Sequence, residues 1–237
     1  MLGNNFIALL VTAFICVVWL RVMDFFAHKK WISSPLSRKI IHIGTGPIFV
    51  LCWPLFVDSS SSRFFAAVVP LLITVQFFLI GIGAIKDQAS VDSMSRTGDR
   101  REILKGPLFY GIVFVVLTIL FWKDSYIGIV ALMMLCGGDG LADIVGKRIK
   151  SRPIPWSKNK TIAGSLSVFA GGWLLSIFVI LIYVNWGLSQ GPVIIYFIPV
   201  TIIAILGAIV ESMPFKDIDN ITVPLISVLL GAILLIR

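Results

Sequence analysis

The run Tyr126-Ile127-Gly128-Ile129-Val130-Ala131-Leu132-Met133-Met134-Leu135-Cys136-Gly137-Gly138-Asp139-Gly140-Leu141-Ala142-Asp143-Ile144-Val145-Gly146-Lys147-Arg148 decides how this chain folds. Tyr126 through Gly138 carry no charge, two carboxylates follow, and Lys147-Arg148 close the run. A membrane-spanning helix needs about 20 mostly apolar residues. Residues 126–146 supply that length, and the two basic residues mark a membrane surface. The carboxylates then lie inside the span, Asp139 about 10 Å below that surface at about 1.5 Å rise per residue.

The rest of the chain agrees. Of its 237 residues 58% are hydrophobic and only 14% charged, too little polar surface for a soluble domain of this size. Eight spans are expected, at 5–23, 41–57, 64–85, 106–122, 126–146, 161–184, 192–213 and 219–236. Pro47 and Pro54 interrupt the second. Together they form one all-α, multi-pass transmembrane bundle over residues 1–237. An apolar run begins almost at once, without a basic n-region or small-residue cleavage site, so no cleaved signal peptide is expected. Cys16, Cys52 and Cys136 stand singly in apolar runs, which suggests neither a disulfide framework nor a zinc site.

The net charge of +8 would suggest nucleic acid in a soluble protein. Here the cations sort by side of the membrane, and no nucleic-acid partner is expected. Seventeen of the 20 Lys and Arg fall in 21–40, 86–105, 147–160 and 214–218. Only Arg63, Lys123 and Arg237 fall on the other side. This bias places the basic loops in the cytoplasm, or the stroma of a plastid, with both termini opposite. Ten of the 12 acidic residues share the basic side, with Asp58 and Asp124 the exceptions. Acidic residues respond weakly to the insertion rule, so their gathering there points to a shared task.

Asp139 and Asp143 are four residues apart and share a helix face, with Ala142 and Gly146 beside them. Small neighbours would let an anionic ligand approach the backbone. A carboxylate at this depth costs at least about 3 kcal/mol unless it is paired or binds a metal. The alternatives are neutralisation by Lys or Arg from neighbouring helices, or a metal site. Two carboxylates suit Mg²⁺, which takes one or two of them and fills its octahedron with water and substrate phosphates. Lys158 and Lys160 follow, and Thr161, Gly164 and Ser165 open the sixth span. Cations and the amides of a helix N-terminus are what a triphosphate requires. No G-x-x-x-x-G-K-[ST] loop occurs, so a nucleotide would be held by another design. His42 could be a packing histidine or a proton carrier. Glu211 could be a metal ligand, a base, or the partner of a lysine. The Arg96–Lys105 loop could be a solvated salt-bridged loop or a further triphosphate clamp.

The run Gly137-Gly138-Asp139-Gly140-x-Ala142-Asp143-Ile144-x-Gly146, followed by Lys158-Asn159-Lys160-x-x-Ala163-Gly164-Ser165, resembles the phytol/farnesol kinase branch of the polyprenol kinases. Dolichol kinase is a more distant relative. Ser37-Arg38-Lys39-Ile40-Ile41-His42-Ile43 looks like that branch as well, as do Ser93–Leu108, Glu211-Ser212-Met213-Pro214 and Asp219-Asn220. The resemblance covers about residues 20–230. It departs from the dolichol kinase pattern at Ala163 and Lys150, and the Asp219-Asn220 pair is one acidic residue short of the branch's usual run.

The resemblance implies a CTP-dependent kinase of isoprenoid alcohols (phytol, farnesol or geranylgeraniol). Asp139, Asp143, His42 and Glu211 are its expected catalytic residues, with Mg²⁺ on Asp139 and Asp143. Gly138, Ala142, Gly146, Lys158, Lys160, Thr161, Gly164, Arg100, Lys105, Asp219 and Asn220 are expected around the nucleotide. His42, Glu211 or Asp219 would accept the proton of the alcohol. Two rivals would use the same acidic pair: a cytidylyltransferase making a CDP-activated lipid, and a membrane transporter. The sequence leaves the oligomeric state open.

Overall fold

The structure is a computed structural model that describes residues 2–95, 97–188, 191–214 and 218–235. Arg96, Lys216 and Arg237, counted above among the cations, and Ile236 at the end of the eighth expected span lie outside the described residues. The described residues form ten α-helices: α1 (Asn5–His28), α2 (Ser34–Leu51), α3 (Ser62–Ile82), α4 (Gln88–Met94), α5 (Gly106–Leu120), α6 (Tyr126–Met133), α7 (Gly140–Arg148), α8 (Ile162–Asn185), α9 (Ile194–Glu211) and α10 (Asp219–Leu234). A π-helical stretch, Met134–Asp139, joins α6 to α7 into one rod. A small antiparallel hairpin, β1 (Pro153–Ile154) and β2 (Ser157–Thr161), lies in the loop before α8.

Eight rods run between two ends of the bundle, each of the expected spans finding its helix. At one end Leu2 N donates to Leu55 O, Arg63 Nη1 donates to Ile119 O, Tyr183 Oη donates to Val50 O, and the Tyr126 and Tyr196 rings meet. At the other, Ser37 Oγ donates to Met23 O and Asn220 Nδ2 donates to Gly106 O. Among the described residues six helices are long and apolar enough to cross a membrane. α10 is apolar but shorter, and α2 begins in the basic stretch around Arg38 and Lys39 rather than at residue 41. Length and hydropathy therefore support six to eight crossings of a multi-pass bundle.

The α6–π–α7 rod is central. In its apolar window 72% of residues are buried inside the bundle, against 22–39% in the other five long helices. Peripheral helices turn side chains such as Phe14, Leu72, Ile198 and Ile233 outward, as lipid-facing helices do. Lipid removes most of the hydrophobic drive for helix to meet helix, so close packing of small residues takes over. The central rod meets α8 in this way. A Cβ on Gly137 would collide with the carbonyl of Gly171, and a Cβ on Gly171 with that of Gly137. The acidic pair thus sits at one end of the most enclosed of the six long apolar helices among the described residues.

Candidate functional site

α2 begins well before its apolar stretch, with Pro35 in its first turn. Proline is tolerated there because its missing N–H is one of the unpaired donors of a helix start. The early start makes Ser37–Ile43 helical, so Lys39 and His42, three residues apart, face the same way. They face α7. Lys39 Nζ lies 3.5 Å from Asp139 Oδ2 and 3.4 Å from Asp143 Oδ2. One ammonium thus bridges both carboxylates. His42 Nε2 is 3.3 Å from Asp139 Oδ2 without the alignment of a hydrogen bond. Its ring stacks on Tyr110 of α5, with centroids 4.3 Å apart. Tyr110 Oη donates to the carbonyl of His42 at 3.0 Å and touches Cys136 Sγ at 3.1 Å.

A second cluster repeats the pattern. Lys160, on β2, donates to Glu211 Oε1 at 2.7 Å and to the Glu211 carbonyl, and its Nζ lies 3.7 Å from Asp219 Oδ2. Trp156 Nε1 donates to Ser212 Oγ at 3.1 Å, so the hairpin is latched to the end of α9. Asn220 Nδ2 holds the carbonyl of Gly106 at the start of α5. Met134, Leu135, Asp139, Val168, Glu211, Asp219 and Val223 line one narrow cleft that joins the two clusters. Four carboxylates and two lysines gather around it.

The acidic pair fits a divalent ion. Its two Oδ2 atoms converge on one cationic centre, and both side chains keep more than a quarter of their exposure. Among the described residues no group of three or more His, Cys, Asp or Glu is arranged as a metal site. An ion on Asp139 and Asp143 would therefore complete its shell from water and phosphate oxygens, which is the habit of Mg²⁺.

Other expectations need correction. Ala142 and Gly146 do not share the carboxylate face. They turn toward α8, where a Cβ on Gly146 would lie 3.5 Å from Gly164 Cα and the carbonyl of Ala142 lies close to Gly164. Gly138 packs likewise, 3.0 Å separating a built Cβ from Val168 Cγ1. These small residues let the central rod and α8 approach closely. The first amides of α8 are also engaged. Ile162 N donates to Arg152 O, Ala163 N to Ser151 Oγ and Gly164 N to Thr161 Oγ1. Thr161 is thus a helix cap, and the expected amide donors already have acceptors within the chain. Lys158 is exposed, with no ion pair among the described residues. Arg100 lies over Gly83, in a second cleft lined by Ile80, Lys86, Asp87 and Val91, which shares no residue with the first. Lys105 is exposed beside Gly106.

Lys39 and Tyr110 are the residues the sequence reading left without a role. Lys39 stands three residues before His42 in a quoted motif, which is its only sequence signal. Tyr110 sits in an apolar run and has none.

Comparison with known proteins gives relatives over nearly the whole chain. A protein of Triticum aestivum named probable phytol kinase, chloroplastic, is 40% identical over 223 residues, 90% of this chain and 72% of its own length. One of Glycine max named probable phytol kinase 3, chloroplastic, is 40% identical over 238 residues, 99% of this chain and 74% of its own. The farnesol kinase, chloroplastic, of Arabidopsis thaliana is 42% identical over 206 residues, 85% of this chain and 66% of its own. No family model matches the chain, and no solved structure matches it.

Proposed function

The chain belongs to the phytol and farnesol kinase family, and from that premise we propose that it transfers the γ-phosphoryl group of CTP to an isoprenoid alcohol at the membrane face of its basic loops. The observation that carries this reading is the gathering of two lysine-bridged carboxylate pairs at one end of the bundle, with Asp139, Glu211 and Asp219 lining one narrow cleft. CTP as donor follows from the resemblance of Gly137–Gly146 and Lys158–Ser165 to the family's nucleotide motif. That face is cytoplasmic, or stromal in a plastid, by the charge bias.

The alcohol oxygen attacks the γ-phosphorus, the bridging P–O bond to the β-phosphate breaks, and the nucleoside diphosphate leaves. Such a transfer needs position and charge stabilisation more than covalent help from the protein. Asp139 and Asp143 would hold Mg²⁺, which when bound neutralises and orients the triphosphate. Lys160, fixed through both the side chain and the carbonyl of Glu211, offers a positive charge at a defined place. Of the groups that could take the hydroxyl proton, Glu211 is already held by Lys160. His42 Nε2 has no hydrogen bond among the described residues and lies 3.3 Å from Asp139 Oδ2, beside the site where the triphosphate would be held. His42 is therefore the proposed proton acceptor. The prenyl tail stays in lipid or between helices.

The test uses the purified protein in lipid nanodiscs with Mg²⁺, a panel of nucleoside triphosphates and a panel of prenyl alcohols. The expected products are a prenyl monophosphate and CDP, identified by mass. A CDP-lipid with pyrophosphate would instead make the protein a cytidylyltransferase. Asp139→Asn and Asp143→Asn should each lower turnover by about a thousandfold or more, given the several kcal/mol a metal contributes. Full activity in the correctly inserted double variant would dismiss the metal role.

A further inference from the structure

We infer that Lys39 is the resident counter-ion of the Asp139–Asp143 pair and competes with the divalent cation for it, so that the protein alone binds the ion weakly and takes it up together with the nucleotide. This rests on the proposed metal role of the pair. The geometry is direct. Nζ of Lys39 lies 3.5 and 3.4 Å from the Oδ2 atoms of the two carboxylates, and its side chain is only 12% exposed. A Mg²⁺ ion would sit about 2.1 Å from the same oxygens. A dication placed there would repel the ammonium and compete with it for the same oxygens, so binding of one weakens the hold of the other.

Lys39 and Lys160 differ in a way that matters. Lys160 is anchored to a backbone carbonyl as well as to carboxylates. The described polar contacts of Lys39 are the two Asp oxygens alone. Lys39 is also a compact charge on a flexible four-carbon stem. Once displaced it needs another anion, and the anion arriving with the ion is a phosphate. The exchange gives a positive coupling between ion and nucleotide, which by linkage works equally in both directions. Until then Lys39 keeps two converging carboxylates from repelling each other at the end of the central rod. Lys39 is on this account a positioning residue that becomes a phosphate ligand.

The experiment titrates Mn²⁺, followed by its free-ion paramagnetic resonance signal, into the full chain in nanodiscs without nucleotide. Lys39→Met should bind Mn²⁺ about tenfold more tightly than the parent, the scale on which a neighbouring charge perturbs such a site. Lys39→Arg should stay near the parent. Arg38→Met removes an equal charge one residue away, from a side chain bonded to the Ser95 carbonyl, and should change affinity less than about threefold. If Lys39→Met binds no tighter while Asp143→Asn abolishes binding, the competition is overturned and the metal site stands. If Arg38→Met tightens binding as much as Lys39→Met, the bridge has no special part and the inference also fails. If the Asp139→Asn, Asp143→Asn double variant binds Mn²⁺ like the parent, the metal reading itself falls.

A second measurement needs no variant. Acylation of Lys39 in the unaltered protein, read by peptide mass spectrometry, should quicken about fivefold or more at saturating Mn²⁺, as the amine loses its carboxylates. It should slow again when a non-hydrolysable CTP analogue is added. An unchanged rate at saturating Mn²⁺ overturns the inference.

Discussion

Replacing Lys160 by Met removes the cation from the second cluster and leaves Glu211 where it is. Glu211 has 9% side-chain exposure and Lys160 has 20%, so this pair is largely withdrawn from water. Breaking a buried ion pair from one side costs about 3–5 kcal/mol, because the remaining charge keeps its desolvation penalty and loses its partner. Lys160 is partly exposed and Asp219 is a looser second partner at 3.7 Å, so the low end, about 3 kcal/mol, applies. For a chain of this length that lowers the midpoint of thermal unfolding by about 6–12 °C. The assay is thermal unfolding in a mild micelle, followed by tryptophan emission. Lys160→Met with Glu211→Gln should recover most of the loss, since both charges are then gone. The comparison is the pair Lys123–Asp58 at the other end, where Asp58 is 65% exposed. Removing Asp58 there by Asp58→Asn should cost less than about 1 kcal/mol, as exposed pairs do. If Lys160→Met is as stable as the parent, or the double variant is no better than Lys160→Met, the buried-pair argument is refuted.

Two further outcomes follow from packing and capping. Gly137→Ala drives a methyl into the backbone of Gly171, with Gly171 C 2.7 Å from the new Cβ, so the central rod and α8 must part by roughly 1 Å; displacement of that order at a reacting site costs about a hundredfold in turnover, and kinase assays on the folded variant should read it. Asp87 caps α4, accepting from Ser90 N at 3.0 Å and Ser90 Oγ at 2.6 Å, and Asp87→Ala should speed amide exchange at Ser90 and Val91 about fivefold, the equivalent of about 1 kcal/mol. The hydrogen bonds from Ser90 hold the Asp87 carboxyl below the usual range. This capping is therefore present above the unfolded-state value and lost as pH falls through the lowered one, so the protection of these amides relative to their intrinsic exchange rate should fall only in acid.

The helices were legible because lipid imposes a length and a composition on anything that crosses it. The positions of the long apolar rods could be read from apolar runs. What those runs conceal is where a helix continues beyond the hydrocarbon. Residues 34–40 read as basic loop, yet they are the first turns of α2, and that extension is what presents Lys39 to the acidic pair. The alternative that a neighbouring lysine neutralises Asp139 and Asp143 was legible, but the identity of the lysine was not, since it depends on how α2 packs against α7. The π-helical stretch before Asp139 has no period of its own in the sequence. It turns the carboxylates toward α2 and leaves Ala142 and Gly146 against α8, which a uniform helix of small residues did not foretell. Lys158 and Lys160 looked equivalent as loop cations. The hairpin separates them, one exposed and one drawn in to Glu211.

The depth of the site follows from where its members sit in their helices. Glu211 is the last residue of α9, Asp219 the first of α10, and Lys160 stands two residues before α8 begins. Asp139 and Asp143 lie at the end of the central rod, the most buried of the six long apolar helices among the described residues. Charges on a peripheral helix at that depth would face acyl chains and carry the full penalty of hydrocarbon. On the central rod they face other helices, so the protein rather than the bilayer decides their partners. A ring of helix ends can supply those partners and stay open to water, while apolar helix flanks remain in contact with lipid. That combination is what a reaction between a water-borne nucleotide and a lipid-borne alcohol requires. It also explains why the carboxylates are gathered from three separate rods instead of being carried by one loop.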